Sequence, residues 1–304
     1  MNYADRLHAA VERCGNAALI GIDPHLAMLP EEFAVARDSS ATRRDRAQAM
    51  GDFCVELLDL AAGRVPIVKP QSAFFEIFGA DGALQWERVV AHAHTKDLLV
   101  IGDVKRGDIA STAGAYARAL LEDNGDDPAT LCDAVTVNAF LGEESITPFL
   151  EVNKRTDTGL YVLVRTSNPG SAEFQLCGEP TLSERIADAV TRWGEDLIGD
   201  CGLSSIGAVV GATHPDHLAA LRARMPKANL LLPGYGAQGA GVEDIAAGFL
   251  PGGHGAVVNS SRGIAFAYKS AGVPDAQWRD ATSAAIDAMI VDMRSAAGLT
   301  SATA

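Results

Sequence analysis

The chain has 304 residues, of which 48% are hydrophobic, and a formal net charge of −14 at pH 7. This length accommodates one large domain or two average ones, and the apolar share is ordinary for a globular protein with a sizeable core. The dispersed acidic residues argue against a nucleic-acid or anionic-membrane surface, since either needs basic patches. A small anionic substrate is still compatible with a local cationic pocket.

The five cysteines are scattered and form no Cys-x-x-Cys pair. This pattern predicts free thiols in a reducing compartment, and neither a disulfide framework nor a thiolate metal site. The N-terminus lacks the basic stretch and apolar run of a signal peptide, and no apolar run approaches the roughly 20 residues that span a bilayer. We therefore expect a soluble, cytoplasmic protein.

Short, continuously apolar runs predict eight strands in chain order, at residues 18–22, 65–68, 98–102, 134–137, 160–164, 206–210, 230–232 and 256–258. Helix-compatible stretches lie between them, for example at residues 43–62, 84–94, 111–122, 182–198 and 215–224. Continuously apolar strands are typical of parallel sheets that helices cover on both faces. The alternation predicts an α/β fold, the (β/α)8 TIM barrel, with a doubly wound open sheet as the structural alternative.

No repeat or linker divides the chain, so we expect residues 1–304 to form a single barrel domain. Residues 24–42 are predicted to be a long first βα loop, and residues 296–304 a frayed tail. Polar and glycine-rich residues collect just after the predicted strands. In a barrel these strand ends converge on one mouth, where active sites are built.

The most informative segment is Asp-Val-Lys-Arg-Gly-Asp-Ile at 103–109, which follows the third predicted strand. Because side chains alternate along an extended strand, Asp103 and Lys105 should project to the same side. Desolvating such ions costs on the order of several kcal/mol, which favours a chemical role, although a solvated salt-bridge turn is the alternative for the motif alone. Lys69 ends the second predicted strand and would be a neighbour in a barrel.

The Asp-x-Lys-x-x-Asp-Ile pattern resembles the signature of the orotidine 5′-monophosphate decarboxylases, specifically their longer bacterial subgroup. Further segments that look like motifs of this family are Gly-Ile-Asp-Pro at 21–24, Lys-Pro-Gln at 69–71, Val-Arg-Thr-Ser-Asn-Pro-Gly at 164–170, Leu-Pro-Gly-Tyr-Gly-Ala-Gln-Gly at 232–239 and Val-Asn-Ser-Ser-Arg-Gly-Ile at 258–264. The first pattern also occurs in related barrels that act on sugar phosphates, but the motifs together are specific. Phe140 stands where the subgroup often has tyrosine.

The resemblance implies conversion of orotidine 5′-monophosphate to uridine 5′-monophosphate and CO2, the last step of de novo pyrimidine synthesis. Lys105 is then the cation beside C6 of the pyrimidine and the acid that protonates this carbon. Asp103 is expected near the substrate carboxylate, and Lys69 between the ribose hydroxyls and the charged cluster. Asp108 and Thr112 are expected from a partner subunit, which makes the functional unit a homodimer.

The resemblance also implies the substrate-binding positions. Asp23 is expected to contact the ribose and Ser167 the edge of the pyrimidine. The other expected positions are Pro233, Gln238, Gly239, Ser261 and Arg262. Apart from the resemblance, a glycine-rich loop with a following arginine suits a phosphate dianion, which binds backbone N–H groups and a guanidinium fork.

We expect neither a cofactor nor a metal. The histidine pairs His92–His94 and His214–His217 have a spacing found in metal sites, but the first has no third ligand nearby and the second opens a helix. Three other functions stay open: a metal-dependent sugar-phosphate lyase or decarboxylase on the same barrel, a Schiff-base aldolase, and a non-catalytic nucleotide sensor. Chelator-sensitive activity would favour the lyase, and borohydride trapping of a substrate adduct would favour the aldolase. Nucleotide binding without turnover would favour the sensor.

Overall fold

Eight parallel strands close into a barrel in the computed structural model, which describes residues 1–123, 125, 127–236 and 239–299. The strands are β1 (Ala18–Ile22), β2 (Ile67–Pro70), β3 (Leu99–Arg106), β4 (Ala134–Val137), β5 (Gly159–Arg165), β6 (Ser204–Val210), β7 (Ala228–Pro233) and β8 (Ala256–Ser260). They pair in sequential order, and β8 pairs with β1. The predicted (β/α)8 barrel is confirmed, and the open-sheet alternative is wrong.

Helices precede β1 and follow the strands. They are α1 (Tyr3–Cys14), α2 (Arg43–Ala61), α3 (Ser72–Glu76), α4 (Gly79–Thr95), α5 (Ala110–Leu121), α6 (Thr147–Thr156), α7 (Ala172–Gln175), α8 (Leu182–Trp193), α9 (Pro215–Arg224), α10 (Val242–Ala246), α11 (Arg262–Ala265), α12 (Ala267–Ala271) and α13 (Trp278–Ala296). The helix predicted at 182–198 ends five residues early, because Gly194 caps α8 and a separate 3-10 turn follows.

The interior of the barrel is a closed apolar core to which every strand contributes. Its strand residues include Leu19, Ile67, Ile101, Ala134, Tyr161, Val209, Leu231 and Val257. Tyr3, Leu7 and Val11 of α1 belong to the same core, and the Tyr3 and Tyr161 hydroxyls lie 3.0 Å apart. Since Tyr3 also packs against the first residue of β5, α1 seals the amino-terminal end of the barrel. The carboxyl-terminal end is left for the site.

Strand β3 continues further than the apolar run predicts. It reaches Arg106, so that Asp103 and Lys105 lie on the strand itself. The register between β3 and β4 shifts between Gly102 and Arg106. Such an irregularity re-aims side chains at a strand end.

The first βα loop is longer than most but is packed against the barrel. It contains the 3-10 helices Leu26–Met28 and Glu31–Arg37, and Phe33 packs its ring on Phe53 and Trp278. Helix α13 extends to Ala296, and most of the predicted tail lies outside the described residues. Among the described residues, no helix combines the length and apolar character needed to cross a membrane.

Candidate active site

Two lysines meet one aspartate at the mouth of the barrel. Lys69 at the end of β2 places its Nζ 2.6 Å from Asp103 Oδ2, and Lys105 of β3 places its Nζ 2.5 Å from Asp103 Oδ1. Lys69 and Asp103 are buried, whereas the Lys105 side chain is 45% exposed. Lys105 is therefore the member of the cluster that can reach a molecule entering from solvent.

Both oxygens of Asp103 receive a second hydrogen bond. Gln71 Nε2 donates to Oδ2 at 2.9 Å, and Thr136 Oγ1 of β4 donates to Oδ1 at 2.9 Å. Four donors from three neighbouring strands and the loop after β2 thus fix the orientation of the carboxylate. Sequence reasoning assigned no role to Gln71 or Thr136. A threonine within the apolar run 134–137 was the one visible signal.

The charges of the cluster stabilise each other. Burial alone would raise the pKa of Asp103, but the ammonium groups of Lys69 and Lys105 outweigh it and hold the pKa well below its usual range. Burial would likewise lower the pKa of Lys69, yet Asp103 and Asp23 raise it above its ordinary value. Asp103 and Lys69 are consequently both ionised at neutral pH.

Lys105 has an unusual backbone conformation. Its φ is 43°, in the left-handed region that residues other than glycine rarely occupy. The Thr136 hydroxyl accepts hydrogen bonds from the N–H groups of Val104 and Lys105, each at 3.0 Å. Such a conformation costs on the order of 1–3 kcal/mol and persists where the surroundings hold it. The threonine thus fixes both the backbone of Lys105 and the carboxylate beside its ammonium group.

Unpaired acceptors lie at the ends of the neighbouring strands β1 and β8. Asp23 Oδ1 and Asn259 Oδ1 are buried, and neither accepts a hydrogen bond from the described residues. A Cβ atom on Gly21 would lie 2.0 Å from Ser261 Oγ and 2.8 Å from Asn259 Oδ1, so glycine is needed where β1 passes the end of β8. Leaving buried acceptors unpaired is costly, which favours a ligand that donates to them.

The glycine-rich loop after β7 makes a tight turn. Gly234, Gly236 and Gly239 have φ values of 107°, 72° and 93°, which suit glycine, and Gly236 N–H donates to the Ala240 carbonyl at 2.9 Å. Pro233 is the last residue of β7, and Gln238 lies outside the described residues.

Ser261 is half-buried between β8 and α11, and Arg262 opens α11 with an exposed side chain. In a ring of eight strands, β7 and β3 are four positions apart. The loop after β7 therefore lies across the mouth from the charged cluster on β2 and β3.

Ser167 follows β5 and is half-buried beside the end of β6. A Cβ atom on Gly211 would lie 2.9 Å from the Ser167 backbone, so the two loops are in close contact. The buried Arg165 guanidinium donates hydrogen bonds to Ser171 and Gln175 and so fixes the segment that follows Ser167. Ser167 therefore lies at the carboxyl-terminal end of the barrel, in the loop between β5 and α7.

Among the described residues, Asp108 and Thr112 form no hydrogen bond or ion pair with the charged cluster, whereas Lys69 does. The Asp108 carboxylate accepts the Ile109 N–H at 2.8 Å, and Thr112 lies exposed in the first turn of α5. Two of the histidines considered as metal ligands pair with aspartates of neighbouring elements, His92 with Asp59 at 2.8 Å and His94 with Asp133 at 3.0 Å.

A closed parallel barrel with a charged cluster at the carboxyl-terminal strand ends is the architecture of a (β/α)8-barrel enzyme. A sequence profile of the orotidine 5′-phosphate decarboxylase / HUMPS family matches residues 30–273. The chain therefore belongs to this family, as its motifs predict.

Named relatives agree with this assignment. An orotidine 5′-phosphate decarboxylase of Rhodopirellula baltica is 44% identical over 94% of this chain and 96% of its own length. That of Deinococcus radiodurans is 44% identical over 82% of this chain and 83% of its own length. The solved structure of Leishmania donovani OMP decarboxylase superposes with a TM-score of 0.76 at 28% identity and covers 98% of this chain and 99% of that one.

Proposed function

We propose that this protein converts orotidine 5′-monophosphate to uridine 5′-monophosphate and CO2, the last step of de novo pyrimidine synthesis. The observation that carries the proposal is the Lys69–Asp103–Lys105 cluster, of which one lysine is accessible from the mouth. The names of the relatives, all decarboxylases of this nucleotide, support it. They do not favour the alternative of a metal-dependent sugar-phosphate lyase.

The chemistry needs one cation at the reacting carbon. The bond between C6 and the carboxylate breaks, CO2 leaves, and the electron pair stays on C6. The Lys105 ammonium stabilises this negative charge and then donates a proton to C6, after which solvent reprotonates the amine. The partial exposure of Lys105 supports both contact with substrate and exchange with solvent. No cofactor is required for these steps.

Asp103 and Lys69 position and balance the reacting lysine. A fixed carboxylate beside Lys105 makes the electrostatic environment preorganised. Little reorganisation is therefore needed as negative charge develops on C6. We assign Asp103 a place near the substrate carboxylate and Lys69 a place between the cluster and the ribose hydroxyls. The four hydrogen bonds on Asp103 support this rigid role.

The substrate would extend from the cluster to the opposite side of the mouth. Asp23, whose buried oxygen lacks a partner among the described residues, would accept a ribose hydroxyl, and Ser167 would meet the pyrimidine edge. The residues proposed to bind the phosphate end are Pro233, Gln238, Gly239, Ser261 and Arg262. The positive-φ glycines after β7 and the exposed guanidinium at the start of α11 support this assignment.

We further propose a homodimer in which Asp108 and Thr112 complete the site of the partner subunit. Large apolar side chains are exposed on α5 and in the loops after β3 and β4, namely Ile109, Tyr116, Phe140 and Leu141. Exposed apolar surface at this end of the barrel supports an interface. The five free cysteines support a cytoplasmic location.

The proposal is tested by incubating chelator-treated protein with orotidine 5′-monophosphate and following the loss of orotate-ring absorbance. We expect full turnover without added metal, with uridine 5′-monophosphate as the product. Nucleotide binding without turnover would contradict the enzyme assignment. Activity on a pentulose or hexulose phosphate that depends on added metal would support the lyase instead, and a borohydride-trapped adduct would support a Schiff-base aldolase.

A further inference from the structure

A second cluster of ligand-type side chains lies at the opposite end of the barrel from the mouth. His8 and Glu12 are on α1, the helix that seals the amino-terminal end, and His254 lies just before β8. One donor atom from each of the three residues can be chosen so that all three lie within 4.8 Å of one another. Neither the motifs nor the proposed reaction uses these residues.

The backbone brings the three side chains together from separate elements. His8 and Glu12 are four residues apart on α1, so they share one helix face. His254 sits in a turn flanked by Gly253 and Gly255, with φ of 79° and 81°, and its carbonyl accepts the Leu250 N–H at 2.8 Å. The histidine is therefore held against α1 by a defined turn.

Distances between the donors are close to those of a coordination sphere. His8 Nε2 lies 3.5 Å and His254 Nε2 lies 3.9 Å from Glu12 Oε1. Ligands at about 2.0–2.1 Å from a tetrahedral ion are about 3.3 Å apart. Rotation of the side chains alone can close this small difference, because the terminal torsions of histidine and glutamate are broad.

The two imidazoles lack another evident role. Their ring centroids are 4.2 Å apart, and the Nδ1 atoms of His8 and His254 are buried without a hydrogen-bond partner among the described residues. Each ring is about three-quarters buried, with 26% and 25% of the side chain exposed. Two imidazoles tilted against each other beside one carboxylate, each with an unpartnered Nδ1 among the described residues, point to a shared ligand.

We propose that His8, Glu12 and His254 bind one divalent transition-metal ion of the zinc class. Two imidazole nitrogens and one carboxylate oxygen suit zinc and its neighbours and do not suit magnesium or calcium, which prefer oxygen ligands. The Glu12 side chain is 61% exposed, so water can fill the open coordination position. The ion ties the sealing helix to the segment that enters β8, and it stabilises the fold without reaching the mouth.

The test uses the full-length, untagged protein after treatment with a chelator and its removal. Titration with zinc chloride by calorimetry should give one ion per chain, and excess zinc should raise Tm by about 3–5 °C at a hundredfold excess over Kd. Cobalt chloride should give visible d–d absorption from a site of low coordination number. Turnover of orotidine 5′-monophosphate should stay within about twofold of the metal-free rate, because the site lies far from the mouth.

Variants decide whether these residues are the ligands. Glu12→Gln and His254→Gln should each weaken zinc binding by more than about 100-fold, since each removes a direct ligand. His92→Gln, which alters a histidine outside the cluster, should bind zinc like the parent protein. Glu12→Gln keeps the test valid if the more buried His254 variant fails to fold. Absence of saturable one-to-one zinc binding, or unchanged binding in both cluster variants, would overturn the proposal.

Discussion

Asp103 is the residue that makes the cluster possible, because both of its oxygens are saturated by donors. Two come from the lysines and two from Gln71 and Thr136. Removing one partner from a buried ion pair typically costs about 3–5 kcal/mol, since the remaining charge is left uncompensated. A solvated salt-bridge turn, the alternative for the motif alone, would not bury an aspartate to 5% exposure.

Lys105→Ala tests the reacting group. We expect kcat to fall by more than about 10⁴-fold, because the variant loses both the cation at C6 and the proton donor. Binding of uridine 5′-monophosphate should persist, since the phosphate end of the site is untouched. Stopped-flow absorbance measures the first quantity and calorimetry the second.

Lys96→Ala is the matched control for this lysine, because Lys96 forms an ion pair with Asp59 at 2.9 Å on the helical surface. It should leave kcat unchanged. Near-normal turnover in Lys105→Ala would refute the assigned role, and loss of turnover together with loss of nucleotide binding would point to collapse of the site.

Thr136→Val tests a positioning residue. The change preserves the shape but removes the donor to Asp103 and the acceptor for two backbone N–H groups. We expect kcat to fall about 10–100-fold with KM within about threefold, because the bound geometry of Lys105 is lost and the phosphate contacts are kept. Steady-state kinetics measures both parameters.

Thr136→Ser separates positioning from simple stability. Serine restores the hydroxyl, so most of the lost kcat should return even if Tm remains low. If Thr136→Val lowers Tm while kcat stays at the parent value, the hydroxyl has a structural role only.

At the scale of elements, much of the barrel was predictable from the apolar runs. All eight strands lie where those runs occur, and α9 has the predicted bounds. The end of β3 was not predictable, because Asp103, Lys105 and Arg106 interrupt the apolar run, and the pairing of Arg106 with Val137 of β4 is what extends the strand to this point. Helix α1 precedes the first strand, so the strand–helix alternation did not point to it.

The candidate site was predictable only in part. The motif predicts that Asp103 and Lys105 lie close together, as they do, but the left-handed φ of Lys105 and the register shift beside it carry no signal in the sequence. The contact of Thr136 with Asp103 could not be predicted, because it depends on the register between β3 and β4. Likewise, His8 and His254 lie near opposite ends of the chain, and only the closed barrel brings them together.

His94 links helix α4 to the amino-terminal end of β4. Its Nδ1 lies 2.8 Å from the Ala129 carbonyl and its Nε2 lies 3.0 Å from an Asp133 oxygen, so both ring nitrogens face acceptors and the cation satisfies both. Burial lowers the pKa of His94, but the Asp133 carboxylate outweighs this and raises it. A raised folded-state pKa means stability that is complete below the unfolded value of about 6.5 and is lost as the pH rises through the folded value.

His94→Gln should therefore lower stability by about 1 kcal/mol at pH 5.5, or about 1–2 °C in Tm, with a smaller loss above pH 8. Thermal melts across this range measure the difference. His92→Gln on the same helix is the control, since its more exposed pairing with Asp59 should contribute less than about 0.5 kcal/mol. A gap between parent and His94→Gln that stays constant from pH 5.5 to 8.5 would contradict the linkage.

At the scale of the whole molecule, the two ends of the barrel have separate roles. The mouth holds buried charge, unpaired acceptors and a strained lysine backbone, all of which cost stability. The amino-terminal end is sealed by α1 through apolar packing and the Tyr3–Tyr161 contact. Stability gained at one end allows the other to hold an arrangement selected for chemistry.

The proposed sharing of sites between subunits has a direct consequence for mixed dimers. In a mixture of Lys105→Ala and Asp108→Asn chains, each hybrid dimer contains one site with both changes and one with neither. Random exchange of equal amounts makes half of the dimers hybrid, so about one quarter of parental activity should return from two nearly inactive proteins.

Activity measured before and after subunit exchange tests this expectation, and Lys105→Ala mixed with parent chains is the control for exchange itself. If Asp108 served its own chain, one site of each hybrid dimer would lack Lys105 and the other would lack Asp108. No hybrid could then contain an intact site. Failure of activity to return, despite hybrid dimers seen by mass spectrometry, would therefore place Asp108 in its own subunit's site, and near-parental activity of Asp108→Asn alone would place it outside the reaction.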